Sequence, residues 1–146
     1  MKKSFNFILM LVFVLAACSV EKRDIKYGTE VCQFCKMIIV DNQYASEIIT
    51  TKGKVHVYDA IECMLNSVST LDNENIALYY VSDYSSPGKL IDATQSYYIQ
   101  TDNLPSPMGD NLTAFEEEGM VVKSQSEKGG VIYNWMELRE KYKVNK

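Results

Sequence analysis

The sequence lacks the features that identify several common functional classes. Its 15 Lys and Arg residues form no basic cluster, and the formal net charge of the 146-residue chain is −4, which argues against nucleic-acid binding. It contains no Ser-His-Asp set, no phosphate-binding loop and no carboxylate pair of recognisable spacing. We therefore expect a protein that is not an enzyme and that has no nucleic-acid partner.

A hydrophobic run long enough to span a membrane is also missing. The apolar run at residues 7–15 is shorter than the roughly 20 residues that a spanning helix needs. Lys2 and Lys3 precede this run, and small residues follow it, as in an export signal. Its end, Leu15-Ala16-Ala17-Cys18, resembles the lipobox of bacterial lipoproteins.

The lipobox resemblance implies that residues 1–17 are a lipoprotein signal peptide and that Cys18 becomes the lipidated N-terminus. We then expect a lipoprotein anchored to the bacterial cell membrane or the outer membrane, facing the periplasm or the exterior. A triacyl anchor satisfies the rule that stable attachment needs more than one chain. An ordinary cleaved signal and an uncut anchor are the alternatives.

Cysteine is scarce, and its count is odd once Cys18 carries lipid. Cys32, Cys35 and Cys63 then remain outside the cytoplasm, where an odd count leaves at least one thiol without an intramolecular partner. Such a thiol is open to oxidation unless it is buried or bound to a metal. The cysteine count therefore favours a metal site.

The remaining sequence predicts a tether followed by one folded domain with two similar halves. Residues 18–30 are polar and have no periodic apolar pattern, which indicates a flexible tether. The folded domain covers residues 31–146, with subunits at about 31–83 and 90–146. Removal of the signal leaves 129 residues with a net charge of −6, which suits one compact domain or two very small ones.

The first half is predicted to contain several strands and one helix. Asp59 looks like an N-cap that forms a capping-box-like pair with Glu62, so the helix is expected from Ala60 to about Ser69. Its buried stripe excludes Cys63, which falls on the small-residue side. Apolar runs and turn signals predict the strands of this half: 37–40 paired with 44–51, then 55–58 and 76–82.

The second half resembles the first weakly, which supports a duplicated α+β architecture. In this comparison Met37 corresponds to Met108, and Gly53 corresponds to Gly129. The loop at residues 103–110 contains two prolines and a glycine and carries Met108. The elements predicted for this half are, in order: strands at 95–101 and 112–115, a further segment at 120–124, a strand at 131–133 and a helix near 135–142.

The most distinctive stretch is Cys32-Gln33-Phe34-Cys35-Lys36-Met37, which holds two thiols and a thioether. Cysteine and methionine together select Cu(I) over harder ions. Because alternate residues of a strand share one face, Cys35 and Met37 are expected to project to the same side. Further candidate ligands follow along the chain: His56, Cys63, Met64 and Met108.

Three interpretations of the cysteines remain open. A thiol–disulfide pair of Cys32 and Cys35 is weakened because a β-branched run, not a helical pattern, follows the motif. A structural zinc site would use Cys32, Cys35, His56 and Cys63 as a Cys₃His set. A Cu(I) site would accept thiolate, thioether and imidazole at low coordination number. Ligand softness favours Cu(I), with zinc as the less favoured cofactor.

Taken in order, these motifs resemble the NosL family of lipoproteins, which are accessory proteins of nitrous-oxide reductase. Each motif is loose alone, but the ordered set is specific and covers nearly all of the chain after the signal. The matching pieces are: the lipobox at Cys18, Cys32 to Ile39, His56-Val57-Tyr58-Asp59, Cys63-Met64, Ile91-Asp92-Ala93, Tyr98-Ile99, Ser106-Pro107-Met108-Gly109, Ala114-Phe115, Gly129-Gly130, Trp135 and Leu138.

The resemblance implies a membrane-anchored Cu(I) chaperone that serves the copper-loading transporter and assembly machinery of nitrous-oxide reductase, in denitrification. It also implies two small ββαβ units in tandem, similar to those of organomercurial lyase, with antiparallel or mixed sheets and one helix each. Cys35 and Met37 match the family's Cys-Gly-Met, and Met108 matches its Pro-Met-Gly. Two departures are evident: Lys36 stands at the usual glycine, and this chain has the extra Cys32 and Cys63.

Overall fold

The computed structural model describes residues 20–71 and 75–144. The predicted signal peptide and Cys18 lie outside the described residues. Within that part of the chain, no helix is long and apolar enough to cross a membrane. The fold is α+β, with two antiparallel sheets that follow one another along the chain.

The first sheet has four antiparallel strands with the order β2-β1-β3-β4. Helix α1, Ile61–Ser67, connects β2 to β3. Gly53, at φ +77°, lies in the tight turn between β1 and β2, a conformation that glycine adopts without a Cβ clash. The strands are: β1 Ser46–Thr50, β2 Val55–Tyr58, β3 Ile76–Ser82 and β4 Leu90–Asp92.

The second sheet repeats this topology with three antiparallel strands in the order β6-β5-β7. In both units the first strand is central, the second follows as an edge, and a helix leads to the third strand. The second unit has one helix more than predicted, because Glu118–Lys128 form a helix in addition to the one predicted near 135–142. The elements are: β5 Tyr97–Gln100, β6 Leu112–Phe115, α2 Glu118–Lys128, β7 Val131–Tyr133 and α3 Trp135–Lys141.

The duplicated architecture is thus confirmed, but the residue correspondence within it was wrong. The turn between β1 and β2, which contains Gly53, is equivalent to the long loop between β5 and β6. Gly129 instead follows α2. Met37 precedes the first strand of its unit, whereas Met108 lies between two strands of the other. The error arose because helix α2, which includes the predicted segment 120–124, has only one buried residue and therefore a weak apolar pattern.

The two units share one hydrophobic core. Buried side chains from both sheets, such as Tyr58 and Tyr98, belong to a single cluster. Trp135 of α3 packs against Tyr79 of the first sheet and Tyr98 of the second, with ring centroids 5.1 Å and 6.3 Å apart. Aromatic packing at these distances stabilises the contact beyond the apolar area that it buries. Helix α3 therefore joins the two sheets.

Two local predictions in the first unit are corrected. Residues 37–40 do not pair with 44–51; instead Ile38 makes an isolated antiparallel bridge with Val31. The helix begins at Ile61 with Ala60 as N-cap and without a side-chain cap. Glu62 does not complete a capping box, because its carboxyl group bonds to Ser106 of the second unit.

The described part of the predicted tether packs against the first sheet. Ile25 is buried in the shared core, and Lys22 donates a 2.6 Å hydrogen bond to the carbonyl of Leu90 on β4. Arg23 forms an ion pair with Glu30. Buried apolar area stabilises such a segment, so the chain is attached to the domain from Lys22 onward. The division of the chain at residues 17, 30 and 31 stays a prediction.

Candidate metal centre

The cysteine loop, residues 32–37, is closed mainly by main-chain hydrogen bonds. The N–H of Cys32 donates to the carbonyl of Met37 at 2.8 Å, and the N–H of Lys36 donates to the carbonyl of Cys32 at 3.1 Å. Lys36 has φ +66°, the left-handed region that favours glycine. The loop therefore doubles back and turns both of its thiols to one side.

The cysteine loop lies on the free edge of the first sheet. β2 is the outermost strand on that side, and its Val57 carbonyl accepts a 2.9 Å hydrogen bond from the N–H of Gln33. Pairing satisfies a backbone group that an edge strand leaves open. The contact brings Cys32 beside the end of β2 and the start of α1, where Cys63 lies.

Three sulfur atoms meet at this place. The Sγ atoms of Cys32, Cys35 and Cys63 all lie within 4.8 Å of one another, and the three thiols are free of disulfides. Cys32 and Cys63 are 0% and 1% exposed, whereas Cys35 is partly exposed. An ion with metal–sulfur bonds of about 2.3 Å holds its sulfurs roughly 3.8–4.0 Å apart. The three thiols can therefore bind one ion with small shifts.

The electrostatics of the cluster favour one ionised sulfur. The hydrogen bond from Cys63 lowers the pKa of Cys32 to about 5, and backbone N–H groups of Asp59, Cys35 and Phe34 act in the same direction. The 3.4 Å contact from the Cys35 N–H to Cys32 Sγ is one of these. The Cys32 charge raises the pKa of Cys63, and burial raises that of Cys35. Full ionisation of all three therefore needs a bound cation.

The other predicted ligands are placed differently. Met37 ends the cysteine loop and is 48% exposed, and Met108 is 40% exposed on the loop between β5 and β6. Met64 is fully buried in the core. His56 is buried on β2, opposite Ile48 of β1, and lies outside the cysteine group. The structure thus unites Cys32, Cys35 and Cys63, and ligation by any predicted residue remains a prediction.

Sequence reasoning missed the backbone donors around Cys32. The N–H groups of Phe34 and Asp59 act on the sulfur whatever their side chains are, so no residue type signals them. It also missed the bond between Glu62 and Ser106, which joins α1 to the loop that carries Met108. The adjacency of Glu62 to Cys63, and the short polar side chain at Ser106, were the only available signals.

An exposed apolar rim surrounds the cysteine loop. We define the rim by the large apolar side chains of residues 31–40 that face solvent. Scattered exposed apolar residues are normal, but a contiguous group marks an interaction surface. Cys35 lies within this stretch and is the most accessible of the three clustered thiols. The members of the rim are: Val31, Phe34, Met37, Ile38 and Val40.

Comparisons with known proteins agree with this architecture. The family model of NosL matches residues 25–143. A crystal structure of the copper chaperone NosL from Shewanella denitrificans is similar in fold, with a TM-score of 0.71 and 18% sequence identity over 82% of this chain and 96% of that chain. No curated protein sequence matches at a significant level. Because the family model covers most of the chain, the protein belongs to the NosL family.

Proposed function

We propose that this protein is a lipid-anchored Cu(I) chaperone that delivers copper for the assembly of nitrous-oxide reductase. The observation that carries the proposal is the cluster of three thiols at the edge of the first sheet. Thiolates are the ligands that Cu(I) prefers, and the Shewanella protein of similar fold is a copper chaperone. A delivery protein of this kind is not an enzyme, because it transfers a copper ion to a partner and does not catalyse the reaction of a substrate.

The ligands have graded accessibility, which suits the transfer of an ion. Cys32 and Cys63 are buried and would retain Cu(I), whereas Cys35 and the exposed Met37 face the surface. An incoming ligand can therefore bind the ion before the buried thiolates release it. Low-coordinate Cu(I) accepts such an extra ligand. We propose Met108 of the second unit as a further ligand, because it matches the Pro-Met-Gly motif of the family.

Zinc is less favoured by the same geometry. Structural zinc sites have four protein ligands, and the structure groups three thiols without His56. Cu(I) is satisfied by three sulfurs. A disulfide exchange function is likewise less favoured, because the cysteine loop closes back on itself and no helix begins at Cys35. His56 and Met64 therefore rank below the cysteines and the two exposed methionines as ligands.

We propose that Cys18 carries the lipid anchor, on the lipobox resemblance of residues 15–18. The first described residues lie beside the first sheet, where Lys22 bonds to Leu90 of β4. Arg23 forms an ion pair with Glu30, which precedes Val31 of the exposed apolar rim. The anchored end of the chain therefore lies near one end of this rim. The copper-loading transporter is the partner that we propose for this rim.

The metal assignment is tested by anaerobic titration of the purified chain with Cu(I) against a chromophoric chelator. The double variant Cys35→Ser, Met37→Leu should bind Cu(I) at least tenfold more weakly than wild type, because it loses both accessible ligands. Met136→Leu, at an exposed methionine on α3, is the matched control and should bind as wild type. Equal affinity of the double variant and wild type would refute the chaperone assignment.

The client is tested in cells. Deletion of the gene in its host should lower the copper content of purified nitrous-oxide reductase, and expression of a Cys18→Ser chain should restore it poorly, because that chain cannot carry the lipid. Wild-type copper content after deletion would exclude nitrous-oxide reductase as the client. The titration would still stand in that case, since it measures the metal site alone.

A further inference from the structure

A buried carboxyl group is adjacent in sequence to the cysteine cluster without being part of it. Glu62 precedes Cys63 on α1 and is 2% exposed. Burial of a carboxyl group is costly unless hydrogen bonds compensate it. The group does not cap its own helix. Its burial therefore requires a different explanation.

Glu62 holds the loop between β5 and β6. Its Oε1 atom accepts a hydrogen bond from the hydroxyl of Ser106, which is itself buried. Burial raises the pKa of the Glu62 carboxyl group, and the hydrogen bonds from Ser106 and from the backbone N–H of Asp110 act in the opposite direction. Ser106 and Asp110 flank Pro107, Met108 and Gly109, so one side chain of the first unit engages both ends of the segment that presents Met108.

The loop itself is closed by reciprocal bonds between Ser106 and Asn111. The N–H of Ser106 donates to Asn111 Oδ1 at 3.2 Å, and the N–H of Asn111 donates to Ser106 Oγ at 2.9 Å. The Gly109 N–H donates to the Ser106 carbonyl at 3.2 Å. Residues 106–111, the methionine loop, are therefore closed as a unit, and this unit is attached to Glu62 of α1 by the Ser106 hydroxyl and by the N–H of Asp110.

We propose that Glu62 is a positioning residue for copper: its hydrogen bond to Ser106 holds the methionine loop against α1, so that the Met108 thioether joins the thiolates of Cys32, Cys35 and Cys63. This inference rests on the proposed function, because it concerns the same site. Glu62 itself does not bind the ion. Its effect on Cu(I) is exerted through Met108, and this makes the role distinguishable from general stabilisation.

The test is a double-mutant cycle in Cu(I) affinity. Ser106→Ala and Met108→Leu should each weaken binding about tenfold, and the double variant should be no weaker than either single variant, since both remove the same ligand. If the double variant bound Cu(I) about a hundredfold more weakly than wild type, the two substitutions would act independently and the proposal would be overturned. Wild-type affinity of Ser106→Ala would overturn it too. Ser126→Ala, at a hydroxyl bonded within α2, is the matched control.

A second measurement separates positioning from folding. X-ray absorption of the Cu(I)-loaded chain should show one sulfur neighbour fewer in Ser106→Ala, and Ser106→Thr, which keeps the hydroxyl, should restore it. An unchanged sulfur count in Ser106→Ala would overturn the proposal even if that variant were less stable. Affinity that depends on Cys35 but not on Ser106 would overturn this inference alone, whereas affinity independent of Cys35 would overturn the proposed function with it.

Discussion

The cysteine loop and the methionine loop are both short, irregular segments that present sulfur, but they are stabilised in different ways. Each contains a non-glycine residue in the left-handed region, Lys36 at φ +66° and Asn111 at φ +59°. The cysteine loop is closed and docked mainly by main-chain hydrogen bonds. The methionine loop is closed by the side chains of Ser106 and Asn111 and attached through Glu62.

This difference in hydrogen bonding predicts that the cysteine loop tolerates side-chain substitutions better than the methionine loop. A loop held by main-chain bonds keeps its shape when side chains change, apart from the residues that carry the chemistry. A loop held by side chains depends on each of those residues, because loss of one partner leaves a buried polar group unpaired. The two loops also differ in the ligands that they offer. The first has a buried thiol, a partly exposed thiol and an exposed thioether, whereas the second has an exposed thioether alone.

The largest effect is expected at a buried thiol. Cys63→Ser should weaken Cu(I) binding about a hundredfold or more, because a hard hydroxyl replaces one of three clustered thiolates. Met108→Leu should weaken it only about tenfold. Anaerobic chelator competition measures both variants. A larger loss for Met108→Leu than for Cys63→Ser would contradict the proposal that the thiol cluster holds the ion and that the methionine loop adds a weaker ligand.

The next effect concerns stability and compares the loops directly. Asn111→Ala should lower the free energy of unfolding by about 1–3 kcal/mol, because it removes the bond to Ser106 and a 2.9 Å bond to Asp102. Gln33→Ala should cost about 0.5 kcal/mol or less, since the hydrogen bonds of Gln33 use its main-chain N–H and carbonyl and not its side chain. Urea denaturation measures both. Equal losses would show that side-chain bonds do not distinguish the loops.

The smallest effect is expected from relief of backbone strain. Lys36→Gly should raise the free energy of unfolding by roughly 0.5 kcal/mol, because glycine removes the left-handed penalty but gains entropy in the unfolded chain. Asn111→Gly, at a similar φ, should instead destabilise the protein because it loses the side-chain bonds. Thermal unfolding of the metal-free chain measures this pair. Stabilisation by both substitutions would mean that strain dominates in both loops.

The regular elements of the first unit were largely predictable from local sequence. β2 and β3 were predicted with their observed limits, and β1 was recovered with small differences at its ends. These strands alternate or run apolar between clear turn signals, so their pattern is local. Helix α2 was not recognised, because it lies on the surface with a weak apolar stripe. The segment at 37–40 was misassigned, because Met37, Ile38 and Val40 belong to the exposed rim, and Ile39 packs into the core without joining a sheet.

The site was predictable in its residue types but not in its grouping. Cys32 and Cys35 are close in sequence, and Cys63 was recognised as a candidate ligand. Its predicted position off the buried stripe was wrong, because Cys63 is buried in the core cluster with its helix neighbours. No local pattern indicates that His56 lies outside the cysteine group or that Met64 fills the core. Strand register and helix rotation decide those placements, and both depend on packing between distant segments.

The sequence by itself determined the softness of the ligands and the duplicated α+β pattern, because side-chain chemistry and apolar periodicity are properties of the chain at short range. Only the tertiary structure decided which sulfurs lie together and which faces remain open. The edge of β2, the first turn of α1 and the loop between β5 and β6 belong to separate parts of the chain. Their approach depends on the shared core and on a few long-range hydrogen bonds, which no local pattern encodes.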